Sequence, residues 1–225
     1  MTRIYLGGGG SEQDEGALWD EVFLPGRRVA VWPFAVPAGP ARRGSVEWFT
    51  SALRDRGDIT VEAWGVEESG DDVDRLDRTD VVAIPGGNTF DLLHQLRERR
   101  LLGALADFAA RGGAVYGGSA GAILLGADIA IAEVEDANDA GVRDTRGLDL
   151  LAGAVVRPHY QPSQDEDLTT WSREHQQVVL AIPERAGVVV SGSSARSVGP
   201  EAVEVFTPDG RSSRPEGAEW GLGAV

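Results

Sequence analysis

Short apolar runs rich in β-branched residues recur along the chain, alternating with stretches whose apolar positions repeat at helical spacing. Strands are predicted over residues 4–6, 29–32, 59–64 and 81–84, just before Ser119, and over 154–156 and 178–182. Helices are predicted over 45–56, from Thr89 through Leu92, Leu93 and Leu96, over 101–110, and from the apolar run Ile123-Leu124-Leu125. Continuous apolar strands separated by helices belong to a parallel sheet covered on both faces. The expected fold class is therefore α/β, a three-layer sandwich around a mostly parallel central sheet. Towards the C-terminus, Val188-Val189-Val190 and Val203-Glu204-Val205-Phe206 read as antiparallel edge strands. Residues 133–146 are polar, acidic and aperiodic, which predicts an exposed loop near Ser119. Loose order is expected from Ser212 onward.

No repeat or linker interrupts this pattern, and 225 residues suit one sizeable core, so residues 1–225 are read as a single domain. The absence of cysteine excludes disulfides, thiolate nucleophiles and cysteine-dependent amidotransferase chemistry. A net charge of −15, with arginine as the only strongly basic residue, disfavours nucleic acid and anionic lipid as partners. The N-terminus runs straight into a strand and a glycine cluster, unlike a signal peptide, and no apolar run approaches a membrane span. A cytoplasmic location is expected. Among proteins, the expected partner is at most a second copy in a homodimer.

Chemistry enters at Tyr116-Gly117-Gly118-Ser119-Ala120-Gly121-Ala122. This G-x-S-x-G has the form of a nucleophile elbow, where a strand turns sharply into a helix and exposes a serine hydroxyl. Chance supplies about 0.2 such patterns in a chain this rich in glycine, so the weight rests on the flanking apolar strand and helix. The competing reading is a serine that merely caps the helix. In open α/β sheets ligands gather outside the carboxyl ends of strands. Ser119, the turn Gly86-Gly87-Asn88, His159 and Glu184 each follow a predicted strand. A serine needs a base, itself held by a third group. His159 is the favoured base, because His94 lies within a helix and His175 at the exposed end of another. Glu184 is the favoured acid, with Glu135 and Asp136 as rivals. Backbone N–H groups of Gly87 and Ala120 are candidate oxyanion donors. The acidic stretch 133–139 is a candidate site for a free α-amine. No cofactor and no metal is expected.

These segments resemble the peptidase S51 family, which holds peptidase E (an α-aspartyl dipeptidase) and the cyanophycinases. The resemblance is carried by Tyr5-Leu6-Gly7-Gly8-Gly9, Pro85-Gly86-Gly87-Asn88-Thr89-Phe90, the Ser119 segment, Arg157-Pro158-His159-Tyr160 and Ile182-Pro183-Glu184. It implies a fold related to class I glutamine amidotransferases and a serine peptidase acting on small peptides. It also implies Ser119 as nucleophile, His159 as base, Glu184 as orienting acid, and Gly87 and Ala120 at the oxyanion. Asn88 and Arg173 are candidate substrate contacts. The family's aspartyl dipeptidases carry an arginine-containing stretch after the histidine. Here Gln161-Pro162-Ser163-Gln164-Asp165-Glu166-Asp167 is shorter and acidic. Arg185 follows Glu184, where the family commonly has a small residue.

Overall fold

The computed structural model describes residues 2–66 and 73–223. Its main sheet contains β1 (Arg3–Gly7), β2 (Arg28–Val31), β3 (Thr60–Ala63), β4 (Val81–Ile84), β5 (Ala114–Gly118), β8 (Gly187–Ser191), β9 (Ser194–Val198) and β12 (Glu219–Gly221). The order is β12-β9-β8-β1-β5-β4-β2-β3. The five strands from β1 to β3 in that order are parallel, and β8, β9 and β12 extend the sheet antiparallel. A smaller sheet, ordered β11-β10-β7-β6, is built from β6 (Val155–Arg157), β7 (Val179–Ala181), β10 (Val203–Thr207) and β11 (Gly210–Arg214).

Side chains alternate across the main sheet, as the two-residue period of a strand requires. Ile4, Leu6, Ala30, Trp32, Val82, Ile84 and Val115 face one core. That core also takes α3 (Thr89–Glu98), α4 (Leu101–Ala110), α5 (Ala120–Leu125) and the smaller sheet. Tyr5, Val29, Val31, Val81, Ala83, Ala114 and Tyr116 face the other, against α1 (Gly16–Val22) and α2 (Pro40–Arg54). The result is the three-layer α/β sandwich expected from the pattern.

Three expectations change. α2 begins at Pro40, five residues earlier than its apolar spacing indicates, because a proline at the first helical positions lacks only an N–H that would be unpaired there. The two late valine runs are antiparallel but are not edges: β8 lies between β1 and β9, and β10 between β7 and β11. The segment from Ser212 is ordered as strand. β11 pairs with β10, and β12 pairs with β9, with residues 224–225 outside the described part. Polar residues there do not preclude pairing, because a ladder is held by backbone groups and β11 keeps an exposed face.

Candidate active site

Ser119 joins β5 to α5 with φ 51° and ψ −115°, a left-handed conformation strained for any residue with a Cβ. Its side chain makes no cap bond to α5. Instead Oγ lies 2.9 Å from His159 Nε2, and His159 Nδ1 lies 3.0 Å from Glu184 Oε1. An ionised carboxylate only accepts, so Nδ1 carries the ring proton and Nε2 is left to accept from the serine hydroxyl. His159 and Glu184 extend from the carboxyl ends of β6 and β7, which run parallel side by side. The constellation therefore bridges the two sheets. Glu184 is open to water, with its side chain 59% exposed against 36% for His159, so its charge acts on the imidazole through solvent-screened space.

Glycines let this bridge close. The β1–α1 loop runs directly beneath His159 and Glu184, and the His159 N–H donates to Gly8 O at 2.7 Å. A Cβ at Gly9, where φ is +92°, would stand 2.3 Å from His159 Cε1. A Cβ at Gly8 would stand 1.8 Å from Pro183 O, and one at Gly10 would stand 2.4 Å from Glu184 O. On the opposite side, the Gly86–Gly87 turn abuts the serine: a Cβ at Gly86 would lie 3.0 Å from Ser119 Cβ. Gly87 has φ +140°, and a Cβ there would meet Ala35 O at 2.3 Å. Neither Gly87 N–H nor Ala120 N–H has an acceptor among the described residues.

Other expected participants have different partners. Asn88 caps α3, its Oδ1 accepting from Asp91 N–H at 2.9 Å while its Nδ2 donates to Ala137 O at 2.8 Å. Asp136 accepts from Thr89 N–H at 2.8 Å, and Glu135 is ion-paired to the buried Arg157. These contacts tie the exposed acidic loop to the helix start beside Gly87 and leave Glu184 as the carboxylate on His159. Arg173 stands in the last turn of α6 (Asp165–His175), donating to Pro208 O at 3.4 Å. That is about 12 Å along the helix axis from Asp165 at its start. His94 is half-buried in α3, and His175 stacks on Trp171. No cluster of three metal-ligating side chains exists among the described residues.

Sequence reasoning missed Glu15. Its carboxylate is buried and accepts from Gly9 N–H at 2.7 Å, Tyr116 OH at 2.6 Å and Trp19 Nε1 at 3.1 Å. A signal existed: Glu15, Leu18, Trp19 and Val22 follow the i, i+3, i+4, i+7 spacing of a core-facing helix, with an acid at the first position. Burial pushes this carboxyl up to about 7 from its ordinary 4.5, against the hydrogen bonds, the Tyr116 hydroxyl's foremost, that favour ionisation. Between those values the folded protein holds a proton that the unfolded chain has lost, so stability falls as pH rises. Wild type is expected to lose up to about 3 kcal/mol from pH 4.5 to above 7 through this group, and Glu15→Gln to lack that slope. Urea unfolding of both proteins at several pH values measures it.

The peptidase family S51 profile matches residues 25–198. Peptidase E from Shigella sonnei (strain Ss046) is 28% identical over 210 residues, covering 85% of this chain and 88% of that protein. Peptidase E from Escherichia coli O6:K15:H31 gives the same figures. Among solved structures, a protein provisionally assigned as peptidase E from Listeria monocytogenes EGD-e superposes with a TM-score of 0.72 at 22% identity, covering 88% of this chain and 98% of that one. A peptidase from an acI-B1 actinobacterium gives 0.69 at 16% identity, with 98% and 97% covered. With a profile match spanning most of the chain and the fold shared with peptidases, the chain belongs to peptidase family S51 and is a serine-type peptidase.

Proposed function

We propose that this peptidase hydrolyses small peptides, as a dipeptidase or exopeptidase with N-terminal aspartyl peptides among its substrates, through Ser119, His159 and Glu184. The observation that carries the reading is the 2.9 Å contact between Ser119 Oγ and His159 Nε2 on a strained elbow, continued to Glu184 at 3.0 Å. Ser119 Oγ attacks the scissile carbonyl carbon while its proton passes to His159 Nε2. The carbonyl oxygen becomes an oxyanion facing the Gly87 and Ala120 N–H groups. The C–N bond then breaks, the leaving amine takes the proton from His159, and an acyl-serine remains. Water, deprotonated by the same imidazole, releases the acid and restores Ser119.

The aspartyl preference is drawn from peptidase E, the name borne by the relatives at 28% identity. A cyanophycinase-like isopeptidase activity is the second reading, favoured by a net charge of −15 that attracts an arginine-rich polymer. Purified protein incubated with Asp-Xaa dipeptides, β-aspartyl dipeptides and cyanophycin separates the two, with amino-acid release followed by chromatography. Release from Asp-Xaa dipeptides is expected. Release from cyanophycin alone supports the second reading. No release from any of them, together with no fluorophosphonate adduct on Ser119, favours a non-catalytic binding domain of the amidotransferase-like fold.

A further inference from the structure

We propose that Glu15 is a positioning residue for the Ser119–His159 pair, its carboxylate joining the loop under the imidazole to the strand that carries the serine. The inference rests on the catalytic reading given above. One arm runs from Glu15 Oε1 to Gly9 N–H at 2.7 Å. Gly9 packs directly against the His159 ring, and the neighbouring Gly8 accepts the His159 N–H. The other arm runs from Oε2 to Tyr116 OH at 2.6 Å, on β5 three residues before Ser119. Trp19 Nε1 donates to the same oxygen at 3.1 Å and to Tyr116 OH at 3.2 Å, holding both in place from α1.

Two features separate this arrangement from ordinary core packing. The stretch Gly7-Gly8-Gly9-Gly10 has no side chains with which to anchor itself, so its position is set by backbone bonds, and Glu15 supplies the one at Gly9. In addition, an apolar residue would fill the site without the desolvation that an ionisable group incurs there. An ionised carboxylate accepts from all three donors without placing a hydrogen of its own among them, whereas a protonated one adds an O–H that only the Tyr116 oxygen, of these three groups, can accept. Tyr116 from β5 is the titratable group facing Glu15, and burial together with Glu15 itself raises its hydroxyl well above the ordinary value, so it stays a donor. The clamp is therefore complete when Glu15 is ionised and loosened when it is protonated. The ionised state that seats the dyad is the one that destabilises the fold, as expected of a group retained for function.

Glu15→Gln tests this, with rates of peptide hydrolysis and of fluorophosphonate inactivation measured across pH on protein shown to be folded by circular dichroism. A glutamine amide brings N–H hydrogens among these donors, as the protonated acid brings an O–H, and of the three groups only the Tyr116 oxygen can accept one. The expected result is a kcat about tenfold below wild type at pH 8.5, with KM within about twofold. Because protonated Glu15 resembles glutamine, the wild-type to variant ratio is expected to fall towards one near pH 5.5. Taking the ratio cancels any pH effect common to both proteins. A residue that only stabilises the fold lowers the melting temperature and leaves the ratio at one throughout. A flat ratio of one, with wild type active, overturns the inference; an inactive, unlabelled wild type overturns the catalytic reading instead. If Glu15→Gln does not fold, Tyr116→Phe removes the strand arm alone. A kcat about threefold lower with unchanged KM is expected from it, and wild-type rates overturn the inference.

Discussion

Ser119→Ala is expected to lower kcat/KM by about 10⁵-fold or more and to abolish fluorophosphonate labelling, while leaving the protein folded. The magnitude follows from the chemistry the oxygen performs. Without Oγ no acyl-enzyme forms, and any residual rate comes from water attacking a carbonyl held at the oxyanion site. Folding survives because alanine carries the same Cβ into the same backbone angles (φ 51°), and among the described residues the removed hydroxyl bonds only to His159. The His159–Glu184 contact at 3.0 Å is independent of it. Stability is therefore expected to stay within about 1 kcal/mol of wild type. Steady-state hydrolysis, intact-mass detection of the adduct and a thermal melt measure the three parts. A variant retaining more than a hundredth of wild-type activity means that another group attacks the carbonyl.

The second large effect is expected from Gly121→Ala, a substitution that adds one methyl group. A Cβ at Gly121 would lie 2.1 Å from Ile84 O and 3.0 Å from Ile84 Cβ. Its neighbour Gly117 faces the same contact, since a Cβ there would lie 2.5 Å from Gly121 C. The backbone oxygen of a central strand has no freedom to retreat, so α5 must lift away from β4 by about 1 Å to reach ordinary contact distance. Overpacking of this kind costs about 1–3 kcal/mol. Because α5 begins immediately after Ser119, the same displacement moves Oγ and the Ala120 N–H, and about 10²-fold is expected in kcat/KM. Gly103→Ala is the control. It lies within α4, nothing stands within 4 Å of its added Cβ, and a gain of up to about 1 kcal/mol with unchanged activity is expected. Urea denaturation and turnover of the two variants side by side separate the steric cost from any general effect of replacing glycine.

The strands nearest the candidate site were legible because each is an unbroken apolar run ending in a turn residue. Residues 81–84 and 101–110 coincide with β4 and α4. α1 was obscured by its acids, although its buried face of Leu18, Trp19 and Val22 follows helical spacing. β9, β11 and β12 are not recognised because Ser194-Ala195-Arg196-Ser197-Val198 and residues 210–214 and 219–221 are too polar or too short to show an apolar alternation. Their pairing is decided by neighbouring backbone, which a sequence does not display. Within the site, the sequence favours Glu184 over its rivals Glu135 and Asp136 only by its place after a predicted strand. Space distinguishes them, because Glu135 is paired with Arg157 and Asp136 with the Thr89 N–H.

The sequence by itself determined the α/β class, the strand-to-helix elbow at Ser119 and the family, since each depends on local periodicity or on a contiguous motif. The tertiary structure alone decided that Ser119 and Glu184, drawn from two different sheets, each lie within hydrogen-bonding reach of the His159 imidazole. It alone assigned the glycine run after β1 to the floor beneath the imidazole and brought Glu15 to Tyr116 across 101 residues. The physical reason is one of range. Hydrophobic period and turn chemistry act within about one turn or one strand, whereas the contacts that orient this site are steric and polar matches between segments far apart in the chain.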